Sequence, residues 1–442
     1  MKIIHTSDWH LGQNFMGKTR QAEHEKFLAW LISLGMDEGA EAIIVAGDIF
    51  DTGSPPSYAR ELYSNFIVSL QQTGMHLIIL GGNHDSVATL SETKSLLAQL
   101  NTHVVPGLLD EIENQVITLR NPQGDCRLIV CAVPFLRSRN LMYSIGGQSG
   151  SQKQLGLQQA IAEHYQKIFA LAQVRRDNIE QITGVRIPIV ATGHLTTVGA
   201  TSSDSVREIY IGSLEAFPST GFPPADYVAL GHIHRMQKVG GSDHIRYSGS
   251  PIPLSFDELK SEKKVLLVEF TQGELTQVTP RDVPCFQKMA SIKGDLLSVE
   301  TQIGLMGDSS KDSQEGEMES VWLDIEISAE GYLDDLQQRV ESMIEGSRFE
   351  ILLLRRERTM GLQGMESTSN ETLKELSPQE VFERRLAQED WTSEDQQKRK
   401  LRMTLAFDEV LMDLSKPVED LGATRVSDVA DHGVVPGSET SR

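Results

Sequence analysis

Along the first two thirds of the chain, short continuous apolar runs alternate with longer stretches of helical spacing. Lys2–Thr6 (KIIHT), Ala42–Ala46 (AIIVA) and His76–Leu80 (HLIIL) read as buried strands. Between them, Arg20–Gly39 repeats apolar residues at helical intervals through Phe27, Leu28, Leu31, Ile32 and Leu34, and Pro56–Gln72 and Leu90–Leu100 also read as helices. Strands are predicted at Gln115–Leu119, Arg127–Val133, Ile187–Ala191, Tyr227–Leu230 and Val265–Phe270, which complete the β content of this part. Gln154–Val174 is a long amphipathic helix, expected at the periphery. Alternating strands and helices predict an α/β core with sheets covered by helices.

A smaller β-α-β unit comes next, with strands at Val321–Ile327 and Phe349–Leu354 and a helix over Tyr332–Ile344. The Gly-, Ser- and acid-rich stretch Gly304–Ser320 before it reads as a loop. Gly361–Asn370 reads as a polar linker, Pro378–Gln388 and Ser393–Leu414 as two helices each opened by a serine, and the polar tail Pro417–Arg442 as disordered. No internal repeat is evident.

Composition narrows the class. With 442 residues, 39% hydrophobic and 23% charged, the chain is ordinary globular protein of two to four domains by length. It contains no apolar run of the ~18 residues that a membrane span needs, and its N-terminus turns polar too soon for a secretory signal. Cys126, Cys131 and Cys285 are odd in number and lack CxxC spacing, so neither a disulfide framework nor a zinc ribbon is expected, and the reading is a reduced, cytoplasmic protein. The net charge of −21 argues against a simple nucleic-acid binder. That charge is uneven, however: residues from Pro284 onward carry −15 and the preceding residues only −6. The N-terminal part therefore remains compatible with a DNA substrate, with much of the grip on DNA supplied from elsewhere.

The chemistry gathers where strands end. Asp8-Trp9-His10 comes after the first strand, Gly47-Asp48-Ile49-Phe50-Asp51 after the second, and Gly82-Asn83-His84-Asp85 after the third. Gly193-His194 and Gly231-His232-Ile233-His234 come after two later ones. Ligands of open α/β sheets collect at carboxyl ends of strands, so these groups are placed to converge. Mixed imidazole and carboxylate donors suit manganese, iron or zinc better than calcium. Residues one apart, as in Asp8/His10 and His232/His234, point the same way on an extended chain. The carboxylate of Asp48 is well placed to bridge two metals about 3.5–4 Å apart. A lone histidine after a strand is usually a core or surface residue, and a lone Gly-Asp pair a turn. The ordered set of five motifs carries the argument. A rival lies in Gly12–Thr19, which matches the phosphate-loop pattern GxxxxGK[ST] and would make the chain a P-loop NTPase. Against it, the first strand ends near Thr6, well before the loop, and an NTPase leaves Asn83, His84, His194, His232 and His234 without a purpose.

The order DxH, GDxxD, GNHD, GH, GHxH over roughly residues 5–235 resembles the calcineurin-like metallophosphoesterases. HTSDWHLGQNF, AGDIFDTGSPPSYAR, GNHDSVATL, ATGHLTTVGA, ALGHIHR, YSGSPIPLSFDE and LSPQEVFERRLAQE resemble the SbcD family of nuclease subunits, up to about Leu414. The resemblance implies a β-sandwich core flanked by helices (1–282), a small α+β capping domain (283–358), a linker (359–376), a helical arm gripping the coiled coil of an SbcC-type ATPase (377–414) and a disordered tail (415–442). Asp8, His10 and His234 would hold one divalent cation and Asn83, His194 and His232 a second, with Asp48 shared. Manganese is expected first, ahead of magnesium, iron and zinc. His84 would be the catalytic acid, Asp51 its carboxylate partner, and Asp85 a structural tie. The expected activity is double-strand 3′–5′ exonuclease and single-strand or hairpin endonuclease in DNA repair. The expected assembly is a homodimer within a heterotetramer, with Pro56–Gln72 a candidate dimer helix. A small-molecule metallophosphatase or cyclic-nucleotide phosphodiesterase would have nearly the same site.

Overall fold

The computed structural model describes residues 1–141, 150–201, 216–308, 320–328, 335–356, 400, 402–404 and 407. Nearly all of these fall in one compact unit, Met1–Arg358. The linker, arm and tail expected beyond it lie outside the described residues, apart from a few helical positions near residue 400.

In chain order the unit begins with β1 (Lys2–Thr6), a two-strand hairpin of β2 (Asn14–Phe15) and β3 (Lys18–Thr19), α1 (Gln21–Glu38), β4 (Ala42–Val45), α2 (Ser57–Gln71) and β5 (His76–Leu80). Short helical turns α3 (Val87–Ser91) and α4 (Lys94–Leu97) lead into β6 (Thr102–Val105), β7 (Val116–Arg120), β8 (Cys126–Cys131), α5 (Ser138–Leu141) and α6 (Gly150–Thr183). Then come β9 (Ile189–His194), β10 (Tyr227–Gly231), β11 (Gln237–Lys238), β12 (Ile245–Tyr247), β13 (Lys264–Thr271) and β14 (Glu274–Asp282). The last part is β15 (Lys288–Gly294), α7 (Leu296–Asp308), β16 (Val321–Ile327), α8 (Leu336–Ile344) and β17 (Phe349–Arg356).

Two six-stranded sheets stack face to face, ordered β14-β13-β1-β4-β5-β6 and β11-β12-β10-β9-β8-β7. Ile3, Ile44, Ile78, Leu128, Val190, Ala229 and Val268 are among the buried residues between them. Helices α1 and α2 cover the outer face of the first sheet through Phe27, Leu31, Phe66 and Leu70. The outer face of the second carries α6 through Leu157, Ile161, Tyr165, Ile168 and Phe169. The expected peripheral helix is therefore a full core layer, longer than its predicted span. β1, β4, β5 and β6 run parallel, as do β8, β9, β10 and β12, which brings the carboxyl ends of both sets to one rim.

Four expectations need correction. The helix expected over Leu90–Leu100 is broken into α3, α4 and a 3-10 turn. β6, β11, β12 and β14 add strands that the apolar pattern does not predict. The loop expected at Gly304–Ser320 begins as the end of α7, whose Val299 and Ile303 bury against the third sheet. That sheet has the order β15-β16-β17, all parallel, so the unit is β-α-β-α-β.

The segment resembling a phosphate loop is the β2–β3 hairpin. Met16 and Gly17 form its turn at φ 50° and 86°, both left-handed, as a two-residue hairpin loop requires. Lys18 pairs with Glu350 of β17, and Phe15 stacks on Trp322 of β16 with centroids 5.8 Å apart. Nothing in this hairpin cradles a phosphate.

Candidate metal centre

At the shared rim, β1 delivers Asp8 and His10, β4 Asp48, β5 Asn83 and His84, β9 His194, and β10 His232 and His234. Each of the three acid or histidine triads Asp8/His10/His234, His10/Asp48/His84 and Asp48/His194/His232 has ligand atoms lying within 4.8 Å of one another. Asp48 sits at the middle: its Oδ2 is 3.6 Å from His10 Nε2 and 3.2 Å from His194 Nε2. Its Oδ1 accepts the His84 main-chain N–H at 2.9 Å. Asn83 Oδ1 lies 2.9 Å from His194 Nε2 and 3.1 Å from His232 Nδ1. All seven sequence-predicted ligands are thus brought together.

The backbone does this differently from the extended geometry expected. Among the described residues seven non-glycines have positive φ, and four are Asp8 (54°), His10 (48°), Asp48 (51°) and His232 (96°). Left-handed turns, not strand alternation, aim these ligands inward. Tight packing leaves no room beside them: a Cβ on Gly47 would strike the His194 ring, and one on Gly82 the Asp48 carboxylate.

Hydrogen bonds fix each ring. His194 Nδ1 lies 2.8 Å from the Ala46 carbonyl and so carries the proton. Asp8 accepts the His232 main-chain N–H at 2.9 Å and the Ser7 hydroxyl. His10 Nδ1 is 3.0 Å from the Asp51 carboxylate, while His84 Nδ1 is 2.7 Å from the Asp51 carbonyl. The expected tie between Asp51 and His84 therefore runs through the main chain, and the carboxylate steadies His10. Asp85 accepts N–H groups of Ile49 (3.1 Å), Phe50 (2.9 Å) and Gly82 (2.8 Å), which ties the loops after β4 and β5 to each other.

Burial and charge set the protonation states of the metal-free site. Burial acts against a charged His194, but Asp48 outweighs it and pushes the imidazole up to about 9. His232 is driven well below its usual range, first by burial and then by the charge of His194. Burial and the nearby Asp48 charge push the Asp85 carboxyl up to about 6.

Two residues outside the five ligand motifs complete the site. Glu258 Oε1 lies 3.0 Å from His234 Nδ1, and Lys263 pairs with the same carboxylate. Glu258 closes the segment YSGSPIPLSFDE and Lys263 follows five residues later, but nothing in the sequence marks either as a partner of His234.

A profile of the family described as calcineurin-like phosphoesterase matches residues 1–236, and one described as type 5 capsule protein repressor C-terminal domain matches residues 285–390. The chain is 50% identical over 399 residues to the SbcD subunit of nuclease SbcCD from Escherichia coli strain K12, across 90% of this chain and 96% of that one. This chain belongs to the SbcD family. SbcD-family relatives extend to the Rhodobacter capsulatus protein of the same name, 34% identical over 297 residues (64% of this chain, 69% of that one). The corresponding Bacillus subtilis protein is 28% identical over 330 residues (74% and 79%). Membership makes the chain a calcineurin-like phosphoesterase, a divalent-metal hydrolase. The residues fit that metal: His10 Nε2 and His232 Nε2 are buried without a hydrogen-bond partner among the described residues, in a cluster of carboxylates. Imidazole and carboxylate together form a borderline donor set. No described helix is long and apolar enough to cross a membrane.

Proposed function

We propose that this chain is the nuclease subunit of an SbcC–SbcD-type complex, hydrolysing DNA phosphodiester bonds with two divalent cations, manganese first, in the cytoplasm. Asp8, His10 and His234 would hold one cation and Asn83, His194 and His232 the other, with Asp48 shared. A bound pair of such cations neutralises phosphate charge and lowers the pKa of water. The protein's own part is positioning and proton transfer. With Nδ1 of His84 donating to the Asp51 carbonyl at 2.7 Å, Nε2 is the ring nitrogen turned to the reaction, and in the imidazolium form it would hand its proton to a 3′-oxygen leaving group and become the neutral Nδ1–H tautomer. Hydrolysis then yields a 3′-hydroxyl and a 5′-phosphate. The reading extends to 3′–5′ exonuclease action on duplexes, endonuclease action on single strands and hairpins, and a homodimer joined to an SbcC-type ATPase. The name of the relatives, which makes each of them one subunit of an SbcCD nuclease, supports that partnership. The observation that carries the proposal is the meeting of six ligand-type side chains from two sheets around a seventh, the single carboxylate of Asp48.

The test is manganese-dependent degradation of a DNA duplex by the protein with its ATPase partner, comparing wild type and His84→Ala. The expected loss is about 10²–10⁴-fold in rate with manganese affinity unchanged. Equal rates remove His84 from the reaction.

A further inference from the structure

Glu258 is a buried carboxylate (3% exposed) in the helical turn Phe256–Lys260, remote in sequence from every ligand motif. Its Oε2 accepts the Leu254 N–H at 3.1 Å, the Ser250 hydroxyl at 3.3 Å and the Lys263 ammonium. Lys263, its side chain 8% exposed, also donates to Ser250 Oγ at 2.8 Å and to the His234 carbonyl at 3.2 Å. Oε1 lies 3.0 Å from His234 Nδ1.

A buried ion pair stabilises a fold little better than apolar residues of the same size, so stability alone is a poor account of this one. The geometry supplies a better account. A carboxylate only accepts, so His234 Nδ1 carries a proton, and Nε2 is the nitrogen the ring can offer to a cation held together with Asp8 and His10. Metal-bound histidines are commonly fixed in this manner, by a carboxylate on the far nitrogen. We propose that Glu258 is a positioning residue for the cation held by Asp8, His10 and His234, with Lys263 as its buried counter-charge. The inference rests on the two-cation reading of the site.

The test is manganese titration of the full chain, followed by calorimetry and by electron paramagnetic resonance of the free ion. Wild type is expected to take up two equivalents. In Glu258→Gln one equivalent weakens by about 10–100-fold and the other keeps its affinity. Glu258→Asp, which keeps the charge at shorter reach, falls between the two and supplies a folded variant should the glutamine protein unfold. Lys263→Met leaves a bare buried anion and lowers the melting temperature. The double variant Glu258→Gln/Lys263→Met regains part of that loss but still binds one equivalent weakly. A lower melting temperature in Glu258→Gln with both affinities at wild-type values makes the pair merely structural and overturns the proposal. A wild type that takes up no second equivalent sinks the two-cation reading instead.

Discussion

Asp8, His10, Asp48 and His232 sit on backbone that L residues avoid, at about 1–2 kcal/mol each. The surrounding hydrogen bonds and tight sheet packing must offset that strain, which is why motif and fold cannot be separated here. The charge at the same residues sets a pH dependence. In the metal-free protein His194 is charged up to about 9, because Asp48 outweighs burial. This raised pKa stabilises the metal-free fold fully below the ordinary histidine value of about 6.5, and the contribution is lost as pH rises through about 9. A cation must expel that proton from Nε2. Manganese affinity should therefore rise about tenfold per pH unit up to about pH 9 from this group alone. Calorimetry in buffers of different ionisation enthalpy should count about one proton released at about pH 7 and none near pH 10. Binding that releases no proton at neutral pH would show that Asp48 does not hold His194 charged. The ligands are legible in the sequence, because each comes at or just after the end of a strand within a short motif. The left-handed turns that aim them are not, since Asp and His carry no signal for positive φ comparable to glycine's. Glu258 ends the segment YSGSPIPLSFDE, but its role is not legible there for another reason: only the fold brings it to His234, 24 residues away.

Elements are legible where burial is two-sided. KIIHT and HLIIL form β1 and β5 with the predicted bounds, since a continuous apolar run has few other ways to hide. β14 (ELTQVTPRD) does not stand out because it is a half-exposed edge strand, paired only with β13 and carrying Pro280. α7 is masked by Gly304, although Leu296, Val299, Ile303 and Met306 keep helical spacing and pack on one cluster. The β2–β3 hairpin shows how a motif misleads when its setting is ignored. Its work is apolar: Phe15, Phe256 and Trp322 form the joint between the core and the three-stranded sheet, and the Lys18–Glu350 pair is solvent-exposed. Phe15→Ala should cost about 3–5 kcal/mol in denaturant unfolding. Lys18→Ala should cost under about 1 kcal/mol, and neither it nor wild type should show measurable ATP affinity. Comparable losses from both substitutions would mean that charge, not packing, holds the joint.

At the scale of the whole molecule, the site is a seam. Asp8, His10, Asp48 and Asn83 come from the sheet of β1, β4 and β5, and His194, His232 and His234 from the sheet of β9 and β10. Below them, His5 of β1 spans the same seam, 2.9 Å from the Tyr227 hydroxyl and 3.1 Å from the Leu230 carbonyl, and burial pushes it down to about 3, so it stays neutral. Without cations the rim concentrates buried carboxylates, and the Asp85 carboxyl is raised to about 6 by burial first and by the Asp48 charge second. Bound cations relieve the crowding and join the sheets, so metal should act on global stability and not only on turnover. By linkage, each site filled at 100 times its dissociation constant adds about 2.7 kcal/mol. Denaturant unfolding with saturating manganese and with EDTA should therefore differ by about 5 kcal/mol when both sites fill. Asp48→Asn, which removes the carboxylate shared across the seam, should abolish most of that difference. Glu258→Gln, which weakens one cation only by about 10–100-fold, should keep about 3–4 kcal/mol of it at the same manganese concentration. A wild-type protein whose unfolding is indifferent to manganese would mean that the two sheets are held at the rim by their apolar interface alone.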